Sequence, residues 1–257
     1  MYTGFNLAVA DDFKEFEEKG LEVLEDFKEK VEQGIKKYIS KSGTIDGTKM
    51  QSDWFPQINA DIFISHSHKD QNKAIMIAGW LKKTFGLTAF IDSLVWGYAD
   101  DLLREIDNEY CLDTSTTMYD YNKRNETTSH VHSMLSTALM MMIDKTECLM
   151  FLNTPSSFHV SDAIEKTKSP WIYFEIGVTK YIDKKLPRKP DLLKKGHFAG
   201  TNESLDIEYR LPSEGLINLN YEDLCMWEEL YKYKIDNQHP LDFLYKHKKI
   251  RSEVLLG

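Results

Sequence analysis

The chain has 257 residues, 42% of them hydrophobic and 28% charged, which is enough apolar material for a sizeable core and excludes wholesale disorder. A formal net charge of −9 argues against a surface built to track nucleic acid or an anionic membrane. Three scattered cysteines (Cys111, Cys148, Cys225) with no CxxC pair argue against a disulfide framework and fit a reducing cytoplasm.

The opening MYTGFNLAVADDFKEFEEKG lacks the basic start and long apolar run of a secretion signal. Residues 10–40 read as one helix, with Phe13, Phe16, Leu24, Phe27, Val31, Ile35 and Tyr38 recurring mostly at steps of three and four. Glu15 with Lys19, Asp26 with Lys30 and Glu32 with Lys36 add i,i+4 pairs. A polar, Gly-containing linker follows, so residues 1–57 are expected to be an N-terminal helix and linker laid on an α/β domain at 58–220.

That domain opens on the apolar run DIFIS, the pattern of a buried parallel strand. KAIMIAGWLKKTFG is a helix with Gly86 just past its end, LTAFID a second strand ending at Asp92, and ADDLLREIDNEY a second helix. Residues 112–130 are polar and aperiodic and read as a surface insertion. VHSMLSTALMMMI is helical, ECLMFLN is a third strand, and SPWIYFEIGVTKYI is a helix with Ser169 as N-cap and Pro170 at its first position. LDIEYRL is a further strand candidate, and residues 221–257 form a C-terminal helical tail. STALMMMIDKTECLMFL is too short and too charged to span a bilayer. Strands alternating with helices require crossovers, hence a doubly wound parallel sheet.

The turn SHSHKD, Ser65 to Asp70, admits three readings. His66 and His68 alternate along an extended chain and can share an ion, but further ligands are missing, so no metal is expected. Ser67-x-x-Asp70 has the spacing of a capping box and explains those two residues as a helix start. The free N–H groups of that helix start, with Lys69 beside them, also suit a phosphate, although no Gly-rich fingerprint is present.

The order of the pieces resembles a Toll/interleukin-1 receptor (TIR) domain of the bacterial type over about residues 60–212. FISHSHKD looks like that family's first-strand box, FIDSLVWG like its second strand leading into the BB loop, and SPWIYFE like its Trp-x-x-x-Glu helix start. The resemblance implies a flavodoxin-like sheet and an NAD+-consuming enzyme without a cofactor, in which Glu175 is the catalytic carboxylate. It implies that Ser65, His66, Lys69, Asp92, Trp96 and Trp171 lie around the NAD+ pocket. It further implies self-association through the BB-loop region, about Ser93 to Asp100, and a product that signals in antiphage defence to a downstream effector; from charge and cysteine usage the setting is expected to be cytoplasmic, with no nucleic acid or membrane partner.

The chemistry is consistent with one carboxylate. Trp171 and Glu175 are four apart on a helix and share a face, and an indole beside a carboxyl dries its surroundings. Cleavage of the nicotinamide–ribose bond passes through an oxocarbenium-like state and releases a neutral base, so no acid has to protonate the leaving group. Two alternatives stand beside this reading: a non-enzymatic TIR interaction module acting by self-association, and a nucleoside deoxyribosyltransferase-like enzyme.

Overall fold

The computed structural model describes residues 1–10, 13–28, 38, 45–113, 115–157, 159–161, 164–167, 169–185, 209–210, 215–235 and 238–250. In chain order, strand β1 (Thr3–Ala8) is followed by helices α1 (Glu17–Lys28) and α2 (Gly47–Trp54). Then come β2 (Ile62–Ser65), α3 (Gln71–Phe85), β3 (Ala89–Ile91) and α4 (Ser93–Ile106), which closes in a π turn at Asp107–Cys111. A short hairpin, β4 (Leu112–Asp113) and β5 (Met118–Tyr119), leads into α5 (Tyr121–Lys145) and β6 (Cys148–Leu152). A small antiparallel sheet of β7 (His159–Ser161), β8 (Ile164–Thr167) and β9 (Tyr209–Arg210) brackets α6 (Pro170–Tyr181). Strand β10 (Ile217–Asn220) and helices α7 (Tyr221–Lys232) and α8 (Pro240–His247) complete the chain.

The main sheet is parallel, with spatial order β10-β1-β6-β2-β3. Every residue of β2, β3 and β6 is buried, as expected for strands covered on both faces. From β2 the chain steps outward to β3 and then returns past β2 to β6. Right-handed crossovers require the helices of those two steps to lie on opposite faces. Helix α1 accordingly packs on α3, and Trp227 of α7 stacks on Phe85 of α3 at 4.0 Å. On the other side α4 packs on α5 and α5 on α6. The reversal of direction creates a crevice at the carboxyl ends of β2 and β6.

The first expectation to be corrected is the N-terminal boundary. Residues 3–8, assigned to an extension outside the sheet, form β1 between β6 and β10. Gly4 and Asn6 weaken the strand signal. The cost of placing an amide there is offset by partners on both sides: Asn6 Nδ2 donates to Asn218 Oδ1 and Asn153 Nδ2 to Asn6 Oδ1, each at 2.9 Å. Of the helix expected over 10–40, α1 is present, while residues 29–37 and 39–40 lie outside the described residues, as do most of LDIEYRL and residues 251–257.

The second correction concerns 112–130. Its tip is the β4–β5 hairpin, but from Tyr121 onward it is the exposed start of α5. Asp120 caps that helix by accepting from the Lys123 amide at 3.0 Å, and Asp107 accepts from Arg124 Nε at 2.8 Å and Thr127 Oγ1 at 2.6 Å. These turns show no apolar period because they bury little against the domain. The third correction is α4, which starts at Ser93 rather than near Ala99. Val95, Ala99, Leu102 and Ile106 are all buried at helical spacing, so Ser93 to Asp100 is helix and not a loop.

Helices α1 and α3 cross at two glycines. A Cβ on Gly79 would lie 2.1 Å from the Phe16 carbonyl oxygen, and one on Gly20 would lie 2.1 Å from the Ile75 carbonyl oxygen. Gly79→Ala should therefore destabilise the protein by about 1–3 kcal/mol in urea unfolding through overpacking. Gly97→Ala on the exposed side of α4, where a Cβ meets nothing within 4 Å, should gain about 0.5–1 kcal/mol. Equal midpoints for both variants would contradict the close crossing.

Candidate functional site

Four side chains from three elements meet at the crevice. Ser65 is the last residue of β2 and His66 follows it, Asp92 follows the last residue of β3, and Glu175 sits in the second turn of α6. Ser169 caps α6 by accepting from the Ile172 amide at 3.3 Å, with Pro170 at the first position, and this start sets the phase that turns Glu175 inward. All four side chains have 0% exposure.

Ser65 Oγ donates to Glu175 Oε2 at 2.6 Å. His66 Nδ1 lies against Asp92 Oδ1, and the Asp92 and Glu175 carboxyl groups influence each other's ionisation. Beyond these contacts the cluster is short of donors. Among the described residues, Glu175 Oε1, both Asp92 oxygens, both His66 ring nitrogens and Ser93 Oγ lack a well-aligned hydrogen-bond partner. Buried polar atoms left in this state mark a site where something else binds or where protons are held.

The electrostatics follow from burial. Desolvation, with the neighbouring Asp92 charge next, raises the Glu175 carboxyl well above the ordinary range. Desolvation also pushes Asp92 up to about 8, against the pull of its contact with Glu175. Desolvation lowers His66 to about 4, against the pull of Glu175 and Asp70, so its ring is neutral at pH 7. Two carboxyl groups in contact cannot both ionise without a cation, and the pair titrates as a unit.

The rim is built by the loops after β2 and β6. Ser67 Oγ and Thr154 Oγ1 each donate to Asp70 Oδ2 at 2.5 Å, tying the two loops together. Ser67 thus does not cap the following helix as the capping-box spacing suggests: its hydroxyl donates to Asp70 instead of accepting from a backbone amide. The chain makes a 3-10 turn at His68–Asp70 before α3 begins.

The indoles are arranged differently from expectation. Trp96, in the first turn of α4, lies nearly parallel to His66 (centroids 6.0 Å apart, 16°) and His68 (6.3 Å, 25°). The two imidazoles that alternate along the chain therefore flank an aromatic ring. Among the described residues no three His, Cys, Asp or Glu side chains group as metal ligands. Trp171 is half-buried and meets His132 of α5 edge-on at 5.8 Å. Lys69 is exposed on the 3-10 turn. The structure thus brings together Ser65, His66, Asp92 and Glu175 under Trp96, and leaves Lys69 at the surface. Sequence reading underrated Asp92, taken as one pocket group among several, because nothing in its neighbours along the chain announces contact with a residue 83 positions away.

Comparison of the chain with protein-family models, with curated proteins and with solved structures returned no match. No helix among the described residues is long and apolar enough to cross a membrane.

The raised carboxyls impose a sign on stability. The unfolded chain releases these protons near the ordinary carboxylate range, whereas the folded chain keeps them, so the pair lowers stability as pH rises from about 4 toward about 8. His66 acts on the other flank: the unfolded ring takes a proton below about 6.5 and the folded ring refuses it until about 4, so stability is lost as pH falls through that window. Asp92→Asn leaves His66 in place and imitates protonated Asp92. Its melting temperature relative to the unsubstituted protein should therefore rise steadily from pH 5 to pH 8. A difference that stays constant with pH would show that Asp92 is ionised in the fold.

Proposed function

We propose that the chain is an NAD+ glycohydrolase or cyclase that cleaves the nicotinamide–ribose bond, with Glu175 as the catalytic carboxylate. The observation that carries this reading is Glu175 itself: an acidic side chain with no solvent exposure, 2.6 Å from the hydroxyl that ends β2, at the carboxyl end of a parallel sheet. A helix carboxylate without a role faces water. The position also agrees with the TIR resemblance, in which Glu175 ends the Trp-x-x-x-Glu element.

The strand order supports a flavodoxin-like relation. Counted from β2, the sequence β3-β2-β6 reproduces the 2-1-3 portion of that order, with the β2/β6 crevice as its switch point. The departure is at the next position, which β1 from the N-terminus fills.

When NAD+ occupies the crevice, Glu175 faces the positive charge that develops on the ribose as the C1′–N bond breaks, and the bonding pair leaves with nicotinamide. Ser65 holds the carboxylate in one rotamer by donating to it. Loss of water around the pair strengthens its field on the forming cation. Because Glu175 has no exposure, access requires the residues around it to rearrange. Self-association through Ser93 to Asp100 would use a helix whose Gly97 and Asp100 are exposed.

A second reading is favoured by one specific feature. Burial raises both the Asp92 and the Glu175 carboxyl, so the pair holds a proton that can serve as a general acid. Such a pair suits a neutral nucleoside, whose base must be protonated to leave, with Glu175 as the covalent nucleophile of a deoxyribosyltransferase-like enzyme.

Chromatography of NAD+ and of deoxynucleosides, each incubated with the protein at dilute and crowded concentration, separates these readings. NAD+ cleavage is expected to release nicotinamide and to fall by at least about 100-fold in Glu175→Ala and Glu175→Gln, while deoxynucleosides should release no base. Base release from deoxynucleosides alone would transfer the site to the second reading. Undiminished NAD+ cleavage in both variants would remove Glu175 from the mechanism.

A further inference from the structure

We propose that the Asp92–Glu175 pair is a proton-for-cation exchange site, so that the substrate class is a cationic N-glycoside whose positive ring displaces one proton from the pair. This inference deepens the NAD+ reading and rests on it.

The geometry sets up the exchange. Two fully buried carboxyl groups lie in one cluster; among the described residues three of their four oxygens lack an aligned donor, and the fourth takes the Ser65 hydroxyl. The groups that act on the pair are His66 from the end of β2, the Ser93 backbone at the start of α4, and each carboxyl on the other. Asp70 adds a further negative charge near His66, and His68 lies exposed beyond Trp96. Among the described residues no lysine or arginine acts on the pair, and His66 is neutral, so those residues supply it no counter-charge. A proton is what keeps two such carboxyls together.

A pyridinium ring entering the crevice supplies the missing positive charge. The pair then gives up one proton to solvent; in the empty site Glu175 is the more weakly acidic of the two, so the ring, seated against Glu175, draws the ionised form there and leaves the remaining proton on Asp92. In cleavage the C1′–N bond breaks and its electron pair goes to the pyridine nitrogen. A water oxygen bonds to C1′, and the proton which that water loses returns to Glu175. The pair is neutral again, and the net release is one proton per NAD+ hydrolysed. Asp92 is in this scheme a positioning residue, acting through Glu175. A neutral ring displaces no proton, which makes charge on the ring the basis of discrimination.

The test uses carba-NAD+, a cationic analogue whose carbocycle cannot be hydrolysed, beside its reduced, neutral counterpart. Calorimetric titration in buffers of different ionisation enthalpy should read about one proton released per carba-NAD+ bound and none for the reduced form. Below the first ionisation of the pair, the dissociation constant for carba-NAD+ should fall about tenfold for each unit rise in pH, and that for the neutral form should not change. The double variant Asp92→Asn, Glu175→Gln keeps the shape of the protonated pair, so proton release should vanish and the preference for the cation with it. Turnover should fall in Asp92→Ala and be partly restored in Asp92→Asn, whose amide can donate to ionised Glu175; equal turnover in the two variants overturns the positioning role of Asp92. Binding of carba-NAD+ without proton release, or release that persists in the double variant, overturns the exchange. If NAD+ is nevertheless cleaved in a Glu175-dependent way, the glycohydrolase reading survives that result. If carba-NAD+ does not bind and NAD+ stays intact, both are overturned.

Discussion

The constraint on which the site depends is the burial of two carboxyl groups in one cluster of an α/β fold, with no lysine or arginine acting on them among the described residues. Asp92 and Glu175 come from opposite sides of the crevice, one at the end of β3 and one on α6, and neither is exposed. In water such groups would repel and separate. Here the covalent path of the chain and the packing of both elements hold them together, and a shared proton makes the arrangement tolerable. His66 and Ser65 complete the enclosure, and Trp96 lies over His66. A polar cluster that is this poorly satisfied lowers stability, and strain of that kind is expected where a site binds something.

The fold explains why the cluster sits where it does. A doubly wound sheet opens at the carboxyl ends of the strands where the winding reverses, and the reversal occurs between β2 and β6. The loops after those two strands are tied by Asp70, which accepts from both Ser67 and Thr154. This leaves Ser65 and His66 on a fixed edge. The opposite wall is α6, whose start is determined by the Ser169 cap and Pro170. Helix α4 is the remaining wall, and its helical first turn places Trp96 over the two imidazoles.

Much of this was legible in order along the chain. The runs IFIS and CLMFL are apolar throughout and are found as fully buried parallel strands. The cap at Ser169 and the left-handed Gly86 after α3 are local signals that need no tertiary partner, and both are present. Strand β1 was hidden because Gly4 and Asn6 interrupt its apolar pattern, and only pairing with β6 and β10 makes it a strand. The first turns of α5 and the first turn of α4 were read as insertion and loop. In the first case little is buried to create a period, and in the second Gly97 masked a helical spacing that packing against α5 makes real.

Within the site the division is similar. Which residues end the strands, and that Glu175 lies one turn into a capped helix, are consequences of local patterns that nearest-neighbour chemistry dictates. That Asp92 meets Glu175, that Trp96 rather than Trp171 stacks on His66, and that Lys69 points to solvent were decided by the sheet order and the crossing of helices. Local backbone preferences act over a few residues, whereas protonation and stacking depend on groups that only folding brings within a few ångströms.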